Sequence, residues 1–243
     1  SIMTINDSAT GTWSGTVTVN GIAQTGGHFM GPRTTGRLEL SGAIYAGPAM
    51  PTIINREGFI RMSGGGSYPA LDIRAGTTSL GANNGIAANA VVDLGGNAGT
   101  STPATLDLNG NHQTIAGLKN SVNSANAARV TNSSGLPTIL TLDNGAGSQA
   151  FGGSIQGNLG VRMFSGRQVL LKTGSTSLNG VYDYTGSTIV DGGSLQLRSV
   201  AWNPVLSLAG AEINAGELIF DYTGTTTPRA MILSYLEQSF ATG

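Results

Sequence analysis

Three aspartates stand where the sequence could place a row of carboxylates. Asp72, Asp93 and Asp107 each lie between two apolar residues. If these triplets are strands on neighbouring coils, the three side chains point outward together. Such a row would offer a hard cation its oxygen ligands. The alternative is solvated surface charge, partly offset by Arg61 and Arg74, and the unequal spacings of the aspartates favour it because they do not guarantee alignment.

Other chemistry-bearing residues are sparse. The two histidines, His28 and His112, lie far apart in the chain and lack the spacing of a zinc site. The chain has no cysteine, which excludes disulfides and thiolate chemistry. No G-x-S-x-G turn offers a serine nucleophile. The sequence therefore predicts no catalytic residue, no metal ligand and no cofactor, and we do not expect an enzyme.

Composition indicates a folded all-β protein with few charges. Glycine supplies 38 of 243 residues, and charged residues are only 10%, against about 25% in an average domain. The twelve basic residues are scattered, so no stretch could follow a phosphate backbone and nucleic acid is not an expected partner. No apolar run is long enough to span a membrane. The start at Ser1, with no signal peptide, is typical of a mature product or a fragment.

A repeated triplet, apolar–polar–apolar, sets the architecture. Strand side chains alternate between faces, so the outer two residues of each triplet should be buried and the middle one exposed. Most triplets start about 11 or 22 residues apart, which is typical of a solenoid. The triplets are Val17–Val19, Leu38–Leu40, Ile60–Met62, Leu71–Ile73, Val92–Leu94, Leu106–Leu108, Leu140–Leu142, Val161–Met163, Leu195–Leu197, Leu206–Leu208 and Leu218–Phe220.

This pattern predicts a right-handed parallel β-helix, with a β-sandwich as the alternative because it would alternate in the same way. Three segments that break the rhythm, 26–36, 47–58 and 76–90, are predicted to be outer loops and turns. Six leucines are expected in one continuous core, with Asp107, Thr141 and Gln196 outside it. The leucines are Leu106, Leu108, Leu140, Leu142, Leu195 and Leu197.

One stretch, residues 168–197, packs three short strands between glycine turns. It resembles the autotransporter-associated β-strand repeat of secreted bacterial proteins, although Ser175–Ser177 departs from the family pattern. The resemblance implies a parallel β-helix exported from the cell and brings no catalytic residues. The matching positions are Leu171, Lys172, Gly174, Leu178, Gly180, Tyr184, Thr185, Gly186, Thr188, Val190, Gly193 and Leu195.

The C-terminal segment is the one convincing helix. Thr227 can cap it, and Pro228 suits its first turn. Its apolar face consists of Ile232, Tyr235, Leu236 and Phe240. We expect this face to be buried, either over the open end of the solenoid or against another subunit. We therefore divide the chain into a β-solenoid of residues 1–227, with loop insertions, and a capping or assembly helix of residues 228–243.

These features favour a structural or adhesive protein, secreted or held at the bacterial cell surface. Open solenoid ends expose strand edges that invite self-association, so a fibre, sheath or stalk subunit is expected. A surface polysaccharide is a second candidate partner. The competing hypotheses are a carbohydrate-active β-helix enzyme (a lyase or hydrolase) and a glycan-binding module. The enzyme would need converging carboxylates beside a basic residue in a groove, which the sequence alone does not display.

Overall fold

The computed structural model describes residues 3–5, 9–19, 28–32, 35–46, 52–95, 102–120, 128–170, 182–198, 202–222 and 227–241. Within these ranges, the side chains of residues 3–5, 19, 28–32 and 239–241 are not described. The segment 171–181, which carries five of the positions that resemble the secreted repeat, lies outside the described residues.

The chain forms a β-solenoid with three faces, and a short C-terminal helix follows it. All strand pairs of the described residues are parallel. Because a β-sandwich is built from antiparallel sheets, this alternative is wrong. Parallel stacking of one coil on the next is what the half-coil spacing of the triplets predicts.

The first face stacks β1 (Met3–Ile5), β4 (His28–Pro32), β7 (Ile53–Asn55), β10 (Ala70–Ile73), β12 (Val91–Leu94) and β15 (Gly117–Asn120). The second stacks β2 (Thr10–Trp13), β5 (Arg37–Leu40), β8 (Phe59–Met62), β11 (Gly76–Leu80), β13 (Ala104–Asp107), β16 (Ala128–Thr131), β18 (Ser154–Gly157) and β20 (Tyr182–Tyr184).

The third face begins with β3 (Val17–Val19), β6 (Ile44–Ala46) and β9 (Gly66–Ser67). It continues with β14 (Gln113–Ile115), β17 (Thr138–Phe151), β19 (Leu159–Leu170), β21 (Thr188–Val190) and β23 (Ala211–Ile213). The second half of β19 also pairs with β22 (Ser194–Arg198), which in turn pairs with β24 (Glu217–Asp221).

The interior is one continuous apolar column. All six leucines expected inside are fully buried and belong to one core cluster, so this prediction is confirmed. Thr141 and Gln196 are partly exposed between them, as expected for the middle of a triplet. Asp107 is different: it is only 8% exposed, so the prediction that it points to solvent is wrong.

All three segments that we expected to be outer loops contain strands, so this expectation is wrong. The segment 26–36 contains β4 (His28–Pro32), and the other two contain buried strands. Ile53–Asn55 and Gly76–Leu80 each form a rung of the solenoid. Buried polar side chains on these rungs bond to one another: the Asn55 amide donates to the Thr78 hydroxyl at 3.0 Å and to the Thr77 carbonyl at 3.1 Å. Because a polar group can be buried once it is hydrogen-bonded, these strands need no hydrophobic alternation.

The stacking of strands on the second face ends at β20. Residues Pro204–Leu208 form a single turn of π-helix that packs against β20. The predicted strand Leu206–Leu208 is therefore wrong: Leu206 faces the interior, but Leu208 is 51% exposed. Pro204 has no N–H to give to a ladder, which explains why a strand is not formed here.

The predicted C-terminal helix is confirmed as α1 (Arg229–Ala241). The Thr227 hydroxyl accepts a hydrogen bond from the Arg229 N–H at 3.3 Å, as expected for a cap. α1 packs against the π-helix turn. The division of the chain into residues 1–227 and 228–243 remains a prediction.

Candidate functional site

The solenoid brings two of the three candidate aspartates together. Asp72 on β10 stands directly opposite Asp93 on β12, and Asp93 stands opposite Lys119 on β15. Asp107 lies on another face, where its neighbours in the ladder are Ser79 and Thr131. The predicted row is thus a pair of carboxylates followed by an ammonium group.

Each carboxylate of this pair has its own cation. The Arg74 Nε donates to Asp72 Oδ2 at 2.8 Å, and the Lys119 Nζ lies 3.3 Å from Asp93 Oδ2. Burial raises the pKa of Asp72, and the hydrogen bond from Arg74 opposes this shift. The other oxygen, Asp72 Oδ1, is buried and has no hydrogen-bond partner among the described residues.

A groove of about 120 Å³ runs over the two carboxylates. Its lining consists of Thr52, Ala70, Leu71, Asp72, Val91, Asp93 and Lys119. Two negative charges are balanced here by two positive ones, which favours the interpretation as compensated surface charge over a cation site. Among the described residues, no group of three or more His, Asp and Glu side chains could hold a metal ion.

Asp107 has a structural role instead. Its carboxylate accepts hydrogen bonds from the Ser133 hydroxyl at 2.7 Å, the Ser133 N–H at 2.9 Å and the Asn109 N–H at 3.0 Å. The Ser79 hydroxyl donates from the preceding rung at 3.4 Å. Asp107 therefore joins three successive rungs at a corner of the solenoid.

The histidines do not meet in a site. The Nδ1 atom of His112 accepts a hydrogen bond from the Ile139 N–H at 3.0 Å, which ties two coils together. The side chain of His28 lies outside the described part of the chain. His112 is thus a structural residue of an outer corner.

The second candidate site is the C-terminal end of the solenoid. Of the twelve large apolar side chains that the described residues leave exposed, eight lie between residues 208 and 236. Single exposed apolar residues are ordinary, but a concentration of them in one region of a protein indicates an interaction surface. We call this group the C-terminal apolar surface; it consists of Leu208, Ile213, Ile219, Tyr222, Met231, Leu233, Tyr235 and Leu236.

An uncharged cleft of about 290 Å³ separates α1 from the last coil. The Tyr235 hydroxyl donates a hydrogen bond to the Leu206 carbonyl and holds the helix over the coil. The cleft is lined by Val205, Leu206, Gly210, Ala211, Ile213, Leu218, Phe220, Ile232, Tyr235 and Leu236. None of these side chains carries a charge at neutral pH, so the cleft suits an apolar occupant.

Three of the four helix residues chosen from the sequence line this cleft, but they are not buried in it. Ile232 is partly exposed, Tyr235 is 45% exposed and Leu236 is 49% exposed. The expectation that Leu236 is buried is therefore wrong for a single chain. The side chain of Phe240 lies outside the described part of the structure, and the assembly role of the four residues remains a prediction.

Sequence reasoning missed two residues of α1 that belong to this surface. Met231 and Leu233 are 49% and 46% exposed on either side of Ile232. At about 100° per residue, the apolar positions from Met231 to Leu233 cover about half of the helix circumference. The width of this apolar arc was visible in the sequence and could have identified both residues.

Two strand edges complete the end of the molecule. Among the described residues, β23 pairs only with β21 and β24 pairs only with β22. Their outer edges have no strand partner within the described part of the chain, and an edge of this kind can pair with another chain. The apolar surface and these edges thus lie in the same last coil.

Searches against protein-family models, curated proteins and solved structures find no match to this chain. No helix of the described residues is long and apolar enough to cross a membrane.

Proposed function

We propose that this chain is a structural or adhesive subunit that associates with other copies of itself through its C-terminal end. The observation that carries this proposal is the concentration of exposed large apolar side chains on the last coil and α1. A helix with apolar residues around half of its circumference is stable when a second surface covers it. The open edges of β23 and β24 next to it supply hydrogen-bonding groups for the same contact.

A comparison of the free energy of apolar burial with the cost of association favours a contact that uses both the apolar surface and the strand edges. Covering one half-exposed large apolar side chain contributes about 1 kcal/mol. The eight side chains of the C-terminal apolar surface therefore contribute about 8 kcal/mol, whereas association costs about 4–15 kcal/mol in lost freedom. Apolar burial alone gives weak binding, so we expect strand pairing or charge pairing to add to it.

The proposed location is outside the cell, as a secreted or surface protein. The resemblance of residues 168–197 to a secreted repeat supports it. A chain without cysteine and with only 10% charged residues also suits export in an unfolded state. In this setting the solenoid serves as a spacer, stalk, fibre or sheath element.

Electron microscopy with light scattering of the purified chain tests the proposal. We expect particles that grow with protein concentration, as end-to-end pairs or as filaments. Monodisperse single copies over the whole concentration range would contradict self-association. Mass measured by light scattering also separates specific assembly from amorphous aggregation, because the former gives integral multiples of 24.6 kDa.

A second candidate function is binding or cleavage of a polysaccharide in the groove at Asp72 and Asp93. Two side-by-side carboxylates in different environments can divide acid and base roles, and the environment of Asp72 raises its pKa. Lys119 and Arg74 supply the basic residues that this hypothesis requires. Incubation with soluble uronate and neutral glycans tests it. Turnover or binding that is lost in Asp93→Asn would support this function. The absence of any binding or turnover would exclude it for the glycans tested.

A further inference from the structure

One side of α1 carries a charged residue near each end and an apolar residue between them. Arg229, Leu233 and Glu237 follow one another at intervals of four residues, so they form a single stripe along the helix. All three are exposed. A basic residue, an apolar residue and an acidic residue thus stand in line, with the apolar residue in the middle.

This stripe lies beside the cleft-facing side of α1. At about 100° per residue, its centre is turned by roughly 100° from the centre of the cleft-facing residues Ile232, Tyr235 and Leu236. The π-helix turn contacts α1 from the coil side. A second helix can therefore lie along the stripe while α1 keeps its contact with the last coil.

We infer that two copies of the chain associate about a two-fold axis, with their α1 helices antiparallel and crossing at Leu233. This inference rests on the proposed self-association and names its partner. In such a pair, a residue a given number of positions before Leu233 faces the residue the same number of positions after it in the second copy. Arg229 then faces Glu237 of the second copy twice, once on each side of the axis.

The apolar residue between these charges also fits. Leu233 meets Leu233 of the second copy at the axis, so a large side chain that is 46% exposed in one copy is covered in the pair.

The same stripe disfavours a parallel arrangement. If the two helices ran parallel about a two-fold axis, Arg229 would face Arg229 and Glu237 would face Glu237. Like charges opposite each other are destabilising, whereas the antiparallel pair converts both contacts into ion pairs. The order of the charges along the helix therefore selects the orientation.

A charge-reversal cycle on the full chain tests this pairing. Arg229→Glu and Glu237→Arg should each weaken dimerisation by about tenfold or more, because each reversal turns two symmetric ion pairs into two repulsive ones. The double variant carrying both reversals should recover most of the wild-type affinity. Sedimentation velocity at low ionic strength measures the dimer constant, and the effect should decrease at high salt.

A cross-link gives a second readout that does not depend on affinity. Because the chain contains no cysteine, Leu233→Cys introduces a unique thiol. We expect a short bismaleimide to convert this variant into a covalent dimer. Ser67→Cys, which introduces an exposed thiol on β9, is the matched control and should remain monomeric on the gel.

Each outcome is decisive. Reversals that leave the dimer constant unchanged, or a double variant no better than either single one, overturn the antiparallel pair but leave self-association standing. A wild-type chain that is monomeric at all concentrations overturns both proposals. A monomer that instead co-sediments with phosphatidylcholine–phosphatidylglycerol vesicles assigns the C-terminal apolar surface to a lipid surface and also overturns the inference.

Discussion

The side chain of Gln168 bonds both backbone groups of Leu118, although the two residues are 50 positions apart. Its Oε1 accepts from the Leu118 N–H at 3.2 Å, and its Nε2 donates to the Leu118 carbonyl at 2.8 Å. Both residues are fully buried. A side-chain amide here supplies the hydrogen bonds that a neighbouring strand would otherwise give.

Replacing this amide should be costly. We expect Gln168→Leu to lower the free energy of unfolding by about 2–4 kcal/mol, because it leaves two buried backbone groups without partners. Urea unfolding followed by circular dichroism measures the change. Gln156→Leu, at a partly exposed position of β18, is the control and should stay within about 0.5 kcal/mol of wild type. Equal stabilities of the two variants would contradict the role of Gln168.

Asp107 should affect stability and not chemistry. We expect Asp107→Ala to destabilise the fold by about 3 kcal/mol, since it removes a buried carboxylate that accepts bonds from Ser133 and Asn109. Thermal unfolding monitored by calorimetry is the measurement. Asp183→Ala, at an exposed position of β20, should have little effect. An Asp107 variant as stable as the Asp183 variant would show that the corner does not need its carboxylate.

Asp72 and Asp191 should make the free energy of unfolding depend on pH in opposite directions. Burial raises the pKa of Asp72 above its usual 3.8, so the folded state holds this proton more tightly than the unfolded state does. Its contribution to stability is therefore present at low pH and is lost as the pH rises from about 3.8 through the raised pKa.

Asp191 behaves in the opposite way, because the hydrogen bond from Arg162 lowers the pKa of its carboxyl group. Its contribution is present above the usual value and is lost as the pH falls. Urea unfolding between pH 3 and pH 7 tests both signs. Relative to wild type, Asp72→Asn should gain stability as the pH rises and Asp191→Asn should lose it; the same sign for both variants would contradict this assignment.

Close contact between coils makes some glycines irreplaceable. Gly193 has a φ of 67°, and a Cβ atom there would lie 2.2 Å from the Gly166 carbonyl oxygen. We expect Gly193→Ala to lower the free energy of unfolding by more than about 1 kcal/mol. Gly135→Ala is the matched control, because a Cβ at that position meets nothing within 4 Å. Chemical unfolding of both variants gives the comparison, and equal stabilities would show that the coils can separate to admit the methyl group.

Alternation of apolar residues was sufficient to predict the solenoid and its core. The triplets around Leu106 and Leu140 place leucines inward because a half-buried parallel strand has a period of two. The triplet at Leu206 failed because Pro204 prevents strand pairing there. The rungs at Ile53 and Gly76 escaped notice because they bury polar residues such as Asn55. Its amide donates to Thr78 and Thr77 on the next coil, and no local pattern in the sequence reveals such bonds.

The candidate sites depended on register, which the sequence does not specify. The step from Asp72 to Asp93 is one full coil and puts the two side by side, but the shorter step from Asp93 to Asp107 leads to a different face. The ion pair between Asp93 and Lys119 likewise depends on register, because the two residues lie on neighbouring coils. Asp72 and Arg74 are only two positions apart in the chain. Ile232, Tyr235 and Leu236 were found from helical spacing alone, since this periodicity is local.

Sedimentation velocity over a roughly hundredfold range of concentration tests whether the C-terminal apolar surface drives self-association. We predict that the wild-type chain shifts to larger species as concentration rises. The Leu233→Asp, Leu236→Asp double variant should stay monomeric, because an interface cannot bury two unpaired charges. Circular dichroism should show that this variant keeps its strands. A wild-type chain that sediments as one monomeric species at every concentration would contradict such self-association.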